Sequence, residues 1–485
     1  MKQFFGILLL SAVVAPAYAQ RVLSLDSCRQ MALRNNKQLG ISKLKQDVAE
    51  NLRKSARTKY LPHVSAIGSY EFTSEEVSIL NDGQKAALGN MGTAFGQTVQ
   101  QKFGPAIAQF QPQTQQLVGQ MLNETVGVLN GEGQKIIDAF RTDTRNIFAG
   151  SVLVTQPLFM GGSIIALNKM ADINTAMAQN TMDIRRHATL YQIDQAYWQV
   201  VSLNHKKKLA ESYLALVKKF DSDVHKMIDE GVATRSDGLS VDVKVNEAEM
   251  NLTKVIDGLT LSRMLLNQLC GLPLYEPVTL EDEQGENVAV VELTPQLDVE
   301  RAVEHRPELK LLQNTVDLTK QATNVIKAAN LPQVALMGGY AISNPNVLNG
   351  FEKKFAGFWH VGVIVRVPIW NWGDVMYKVR ASKGATAIAN LELSEARELI
   401  ELQVNQNTFK VDEANKKLTM AQSNIQRADE NLRTANLGFQ EGVISPTVVM
   451  EAQTAWMQAQ SQKIDAEIDV KLSQVDLQKA LGTLE

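Results

Sequence analysis

Beyond residue 19 the 485-residue sequence has no run approaching the ~18 uninterrupted apolar residues of a membrane-crossing helix. Any passage through a bilayer would have to be made by strands. Cysteine is nearly absent, with Cys28 and Cys270 alone, and the six histidines (63, 187, 205, 225, 305, 360) show no clustered metal-ligand spacing. No metal or other cofactor is expected. The catalytic signatures HExxH, GxxxxGK and GxSxG are missing, and Gly89 to Gly96 is glycine-rich without a preceding strand, so an enzyme is not expected either. There is no excess of one charge, since 49 Lys+Arg face 52 Asp+Glu for a net of -3, and no basic field calls for nucleic acid. With 13 Pro, 30 Gly and 45% hydrophobic residues, the chain is neither collagen-like nor wholly disordered.

The first residues read as a cleavable secretory signal: Lys2, the apolar run Phe4 to Ala15, Pro16, then Ala17-Tyr18-Ala19. The mature chain would begin at Gln20. Cys28 lies too far past the apolar run for a lipoprotein anchor. In an oxidising compartment Cys28 and Cys270 are a candidate disulfide, and buried free thiols are the equal alternative.

The text that follows is written twice. Gly162, Gly231 and Gly271 recur as Gly373, Gly442 and Gly482, with a constant shift of 211. Glu230-Gly231-Val232 matches Glu441-Gly442-Val443. Leu39, Leu61-Pro62 and Tyr70 return as Leu309, Leu331-Pro332 and Tyr340, shifted by 270. The first repeat spans residues 20–272 and the second 296–485. Residues 273–295, with Glu281-Asp282-Glu283, read as a solvated acidic linker. Tyr70 to Val154 takes 84 residues where Tyr340 to Val365 takes 25, so the first repeat holds an insertion at about 73–146. Rich in Gly and Gln, it is expected to be a loop with short helices.

From Ser163 to Glu230 no Gly or Pro intervenes, and Leu190, Ile193, Tyr197, Val200, Val217, Phe220, Val224 and Met227 recur at three and four. A helix of that length is about 100 Å long, too long for a compact domain. Val241, Val245, Ala248, Leu252, Val255 and Leu259 continue as a heptad seam, echoed by Ala452, Trp456 and Ala459. The helices that open and close each repeat are expected to be near 35 residues. Two of them, end to end, match one long helix.

Between the helices the period is two. Val64, Ala66, Gly68, Tyr70 and Phe72 alternate with their neighbours, as do Phe148, Gly150, Val152 and Val154; Val334, Leu336, Gly338 and Tyr340; and Trp359, Val361, Val363 and Val365. Pro62, Pro157, Pro332 and Pro368 are expected at the helix-proximal strand ends. Strands of roughly ten residues suit a tilted membrane crossing. Four cannot close a barrel, since the smallest have about eight, but three chains would supply twelve. Tyr70, Phe72, Phe148, Tyr340 and Trp359 are then candidates for an aromatic girdle.

This duplicated plan of helix, strand pair, long helix, glycine turn and helix, behind a signal peptide, resembles the TolC-type outer-membrane efflux and secretion channels. The resemblance implies a mainly α fold with a β-barrel part: a homotrimer whose twelve-stranded transmembrane barrel sits in outer-membrane lipid and continues into a periplasmic coiled-coil tunnel. It implies a passive conduit in a tripartite efflux or type I secretion system, fed by an inner-membrane pump through a periplasmic adaptor protein. Such channels close their periplasmic tip with carboxylate rings. By position the resemblance assigns gate roles to Asp237 and Glu451, while Ile444 and Val448 stand where other members carry an Arg and an Asp. Arg235 is a candidate counter-cation for Asp237. Gly231, Val232, Ala233, Gly442, Val443 and Ile444 form the candidate adaptor contact. The competing reading is a periplasmic coiled-coil scaffold or adaptor without a pore, which leaves the four strands unexplained.

Overall fold

The computed structural model describes residues 21–76, 78–141, 144–285, 299–349 and 352–484. The expected signal at 1–19 and the end of the acidic stretch lie outside the described residues. In chain order the elements are β1 (Arg21–Leu23), α1 (Leu25–Asn35), α2 (Lys37–Thr58), β2 (His63–Phe72), α3 (Asp82–Gly89), α4 (Met91–Ile107), α5 (Pro112–Ala139) and β3 (Asn146–Met160). There follow α6 (Ser163–Asp229), α7 (Arg235–Cys270), β4 (Val278–Leu280), α8 (Val299–His305), α9 (Pro307–Ala328), β5 (Gln333–Asn344), β6 (Ala356–Arg366), α10 (Asp374–Gln440) and α11 (Pro446–Leu481). They form two units, a helical one (Met1–Lys54, Leu167–Thr323, Tyr377–Glu485) and one built on a sheet (Ser55–Ala166, Asn324–Met376).

The duplication is exact in length where it matters most. α6 and α10 have 67 residues each, and α7 and α11 have 36 each. All six glycines that mark the repeat adopt positive φ, from 69° to 84°. Only glycine does so without steric cost, so these positions fix where helices start and stop. The expected α6 stripe is the core: Ile193, Tyr197 and Val200 are fully buried with Leu266 and Cys270 of α7. Nearer the turns, Phe220 and Val224 pack with Val241, Phe439 and Val449, and the Phe220 and Phe439 rings lie 5.0 Å apart. Each such side chain contributes about 1.5–3 kcal/mol by leaving water.

The leading helices differ from expectation, because each is broken once. Asn36 leaves the helical region at ψ 120°, and its Oδ1 accepts from the Gln38 and Leu39 amides, starting α2 anew. In the second repeat the break falls at Arg306, shifted by the same 270, where the following Pro307 disfavours α geometry.

The acidic stretch is also corrected, since its beginning is not a solvated linker. β4 pairs in parallel with β1, and Leu280 is fully buried. Glu283 is buried and ion-paired with Arg263 at 2.9 Å, while its carbonyl accepts from Lys208 at 2.7 Å. Asp282 accepts the Tyr197 hydroxyl at 2.5 Å. Three donors from α6 and α7 therefore hold the segment down, which a run of acidic letters does not reveal.

In the sheet unit the strand order is β2-β3-β5-β6, antiparallel throughout. Register places Val64 opposite Val154, Val154 opposite Gly338 and Gly338 opposite Val361. Directly paired residues share a face, so the four apolar sets read from period two join into one continuous surface. In two of its rows aromatics meet across neighbouring strands. Tyr70 pairs with Phe148 at 4.8 Å between rings, and Tyr340 pairs with Trp359. Every residue of β2 is exposed, and Trp359, Val361, Val363 and Val365 are 59–77% exposed. Pro157 is not at a strand end. It lies inside the 15-residue β3, at a register shift between Pro157 and Phe159, where a missing N–H does least harm.

The insertion is more ordered than a loop with short helices. α5 alone has 28 residues and packs against α3 and α4. Gly92 and Gly133 allow this approach, because a Cβ on either would strike the Val126 or Leu88 carbonyl oxygen. Glu76 ties the base to Arg141 at 3.1 Å and Arg145 at 3.6 Å.

Candidate functional site

The two helix turns are built alike. After α6, the amides of Val232 and Ala233 both donate to the Met227 carbonyl; after α10, those of Val443 and Ile444 both donate to the Gly438 carbonyl. Gly231 and Gly442 sit in the left-handed region at φ 76° and 74°, with open space around both. Conformation, not crowding, requires glycine there. Val232 and Val443 project into solvent at 66% and 78% exposure. Ala233 and Ile444, expected to be exposed with them, are half-buried. Ile444 folds back on Gly438 and joins the apolar cluster of Phe439 and Val449.

The structure gives Asp237 a local task. Its Oδ2 accepts from the Thr234 amide at 3.0 Å and the Thr234 hydroxyl at 2.6 Å, while its own amide donates to Thr234 Oγ1 at 3.2 Å. This reciprocal cap starts α7. The Thr234 hydroxyl and amide hold the Asp237 carboxyl below its usual range. Arg235 is the first residue of α7, is exposed, and forms no ion pair with Asp237 among the described residues. The expected counter-cation is thus replaced by a hydroxyl and a backbone amide.

Glu451 lies elsewhere, on a groove of about 580 Å³ between α7 and α11 that Ser240, Val243, Lys244, Glu247 and Thr454 also line. It is exposed and makes no ion pair among the described residues. Ser240 is its counterpart in the first repeat, at the same shift of 211, so one copy offers a charge where the other offers a hydroxyl. Lys244 pairs with Glu247 at 2.8 Å, which raises the lysine above its usual range. Lys244 and Glu247 were not singled out from the sequence, and only their position one to two turns past Ser240 could have done so.

Cys28 and Cys270 are both free and fully buried, and the Cys270 thiol faces the Cys28 carbonyl oxygen at 3.9 Å. A further feature missed from the sequence is the pair Trp370 and Trp372, 74% and 85% exposed and edge to face at 5.7 Å. Trp372 has φ 53°, alone among described non-glycine residues, where the first repeat has Gly161.

Residues 299–483 match the model of the outer membrane efflux protein family. Over that stretch, the second repeat, the chain is similar to outer membrane efflux proteins. Outer membrane protein TolC of Vibrio cholerae is 20% identical over 349 residues, covering 70% of this chain and 77% of that relative. The fold of CusC, solved in crystals that follow its folding and transmembrane channel formation, superposes with a TM-score of 0.74 at 13% identity, over 97% of this chain and 95% of CusC. VceC of Vibrio cholerae gives 0.71 at 14% identity, over 94% and 96%. The open-state MtrE channel of Neisseria gonorrhoeae gives 0.70 at 15% identity, over 95% and 89%. The matched family and the TolC relative are outer-membrane proteins by name, and CusC and MtrE are described as channels.

Proposed function

We propose that three copies of this chain form one pore, with a twelve-stranded barrel in the outer membrane and a helical tunnel in the periplasm, acting as the passive exit duct of a tripartite efflux or type I secretion system. The observation that carries the reading is the bare sheet. Its β2 and β6 edges have no partner strand among the described residues, and its apolar face is uncovered. In hydrocarbon every backbone polar group must be paired, so edges β2 and β6 must meet in neighbouring copies. Exposed apolar residues on the helices also favour association between copies: Ile41, Leu44, Val48 and Leu52 on α2, and Leu391, Leu402, Phe409 and Met420 on α10.

In this reading the Val232 and Val443 turns meet a periplasmic adaptor protein, which connects the duct to an inner-membrane pump. Glu451, repeated three times about the axis, forms an acidic ring that favours cations. Asp237 acts mainly by starting α7, next to the turn. The scaffold reading is disfavoured by the same uncovered sheet, which a water-soluble coiled coil has no reason to carry. Fractionation tests the pore: the protein should stay with membranes through carbonate washing and run as an SDS-resistant trimer until boiled. A monomer soluble without detergent would overturn it. Periplasmic crosslinking followed by identification of the captured inner-membrane protein tests the pump assignment.

A further inference from the structure

The histidines are scattered in sequence, but folding brings one of them to two carboxylates. Asp221 and His225 occupy successive turns of α6, on one face as i and i+4 residues must be, and Asp242 reaches across from α7. One ligand atom from each lies within 4.8 Å of the other two. His225 Nδ1 is 3.0 Å from the Asp221 carbonyl oxygen and 3.3 Å from its Oδ1, and Nε2 is 3.9 Å from Asp242 Oδ1. Donation from Nδ1–H to the carbonyl fixes the tautomer and leaves the Nε2 lone pair facing Asp242, the arrangement in which ligating histidines are held.

One observation favours a ligand over a chance meeting of charges. Asp221 Oδ1 is shut off from solvent yet accepts no hydrogen bond, although an uncompensated buried carboxylate oxygen is costly. His225 and Asp242 are about half exposed, which lets water complete the coordination.

We propose that Asp221, His225 and Asp242 form a binding site for a divalent transition-metal ion of the zinc class. One imidazole and two carboxylates carry the charge that balances such an ion, and the imidazole disfavours the harder calcium and magnesium. Tetrahedral zinc with bonds of about 2.0–2.2 Å sets its ligands roughly 3.3–3.6 Å apart, a contraction that half-exposed side chains can make. The bound ion would bridge α6 to α7 just before the Gly231 turn, stiffening that hairpin.

The full-length protein in detergent, stripped with a chelator, is titrated with zinc alone by calorimetry, and with cobalt to read the visible bands of a low-coordinate site. One ion per chain is expected, with affinity falling about tenfold or more in His225→Ala and in Asp242→Asn. Acidification should weaken binding as His225 takes up a proton, whose uptake is favoured by the Asp221 carbonyl and by the Asp221, Asp242 and Asp229 carboxylates. His305→Ala serves as a control and should bind zinc like the parent chain. Unchanged affinity in both the His225 and Asp242 variants, or no binding at all to the parent chain, would overturn the proposal whether or not the chain forms a pore. Helical circular dichroism of the variants separates loss of a ligand from loss of the fold.

Discussion

Arg29 holds Asp194 through two parallel bonds, Nε to Oδ1 at 2.7 Å and Nη2 to Oδ2 at 2.6 Å, with the carboxylate fully buried between α1 and α6. Burial pushes the carboxyl up, and the guanidinium opposes that push. Removing one partner leaves a buried charge uncompensated. Asp194→Ala is expected to cost about 3–5 kcal/mol, and Arg29→Ala a comparable amount. Chemical denaturation should show the double variant losing much less than the two single losses together. Additive losses would mean that the pair is not acting as a unit.

Glu451 is the charge through which the proposed pore would select ions. Glu451→Ala should lower the cation preference of single-channel current, and Ser240→Glu, which gives the first repeat the same charge, should raise it. Reversal potentials across a salt gradient in planar bilayers measure both. Unchanged values would remove the groove between α7 and α11 from the narrowest part of the path.

Trp372 adopts a backbone conformation that costs a bulky residue on the order of 1–3 kcal/mol. Trp372→Gly restores the residue type that the first repeat uses at this position and should raise the thermal midpoint of the detergent-solubilised protein. A lower midpoint would show that ring contacts, including that with Trp370, outweigh the backbone strain.

His205 predicts a pH dependence. Burial holds it below the usual imidazole value, against the Asp282 carbonyl, while Lys208, Glu467 and Glu283 carry the charges around it. The unfolded chain therefore binds this proton more readily than the folded one. Stability from this site is present above the ordinary value of 6.5 and is lost as pH falls through it. His205→Gln should flatten the fall in thermal midpoint between about pH 7.5 and 5, relative to the parent chain.

Cys28 and Cys270 should be invisible to a maleimide in the native protein and react once it unfolds, because both are fully buried and the Cys270 sulfur together with burial pushes the Cys28 thiol up. Mass spectrometry of unfolded protein with no reductant added would find two labels. No label there, but two after reduction, would reveal a crosslink between α1 and α7.

Much of this architecture was legible because the duplication tied letters to backbone conformation. The six recurring glycines are all left-handed, and the alternating strand residues meet in register on one face. What escaped depends on contacts between distant segments. Nothing local marks Glu283 as buried, since Arg263 and Lys208 decide that from other helices. Asp237 looked like a gate carboxylate by position, and its pairing with Thr234 becomes evident only in three dimensions, although a Thr three residues before an Asp is a cap signal in itself. The break at Asn36 was masked by an otherwise continuous helical pattern. His225 reads in sequence like the other scattered histidines, because its partner Asp242 lies beyond the turn.

The outer edges of β2 and β6, without a partner strand among the described residues, bear on how the proposed pore would reach its membrane. A solitary copy that entered the hydrocarbon first would strand two rows of amides and carbonyls there, each at a penalty of several kcal/mol, with nothing to relieve them until companions arrived. In the proposed trimer, entry and association would therefore be a single event, and the exported chain would have to be kept in solution, its edges shielded, until its neighbours were at hand.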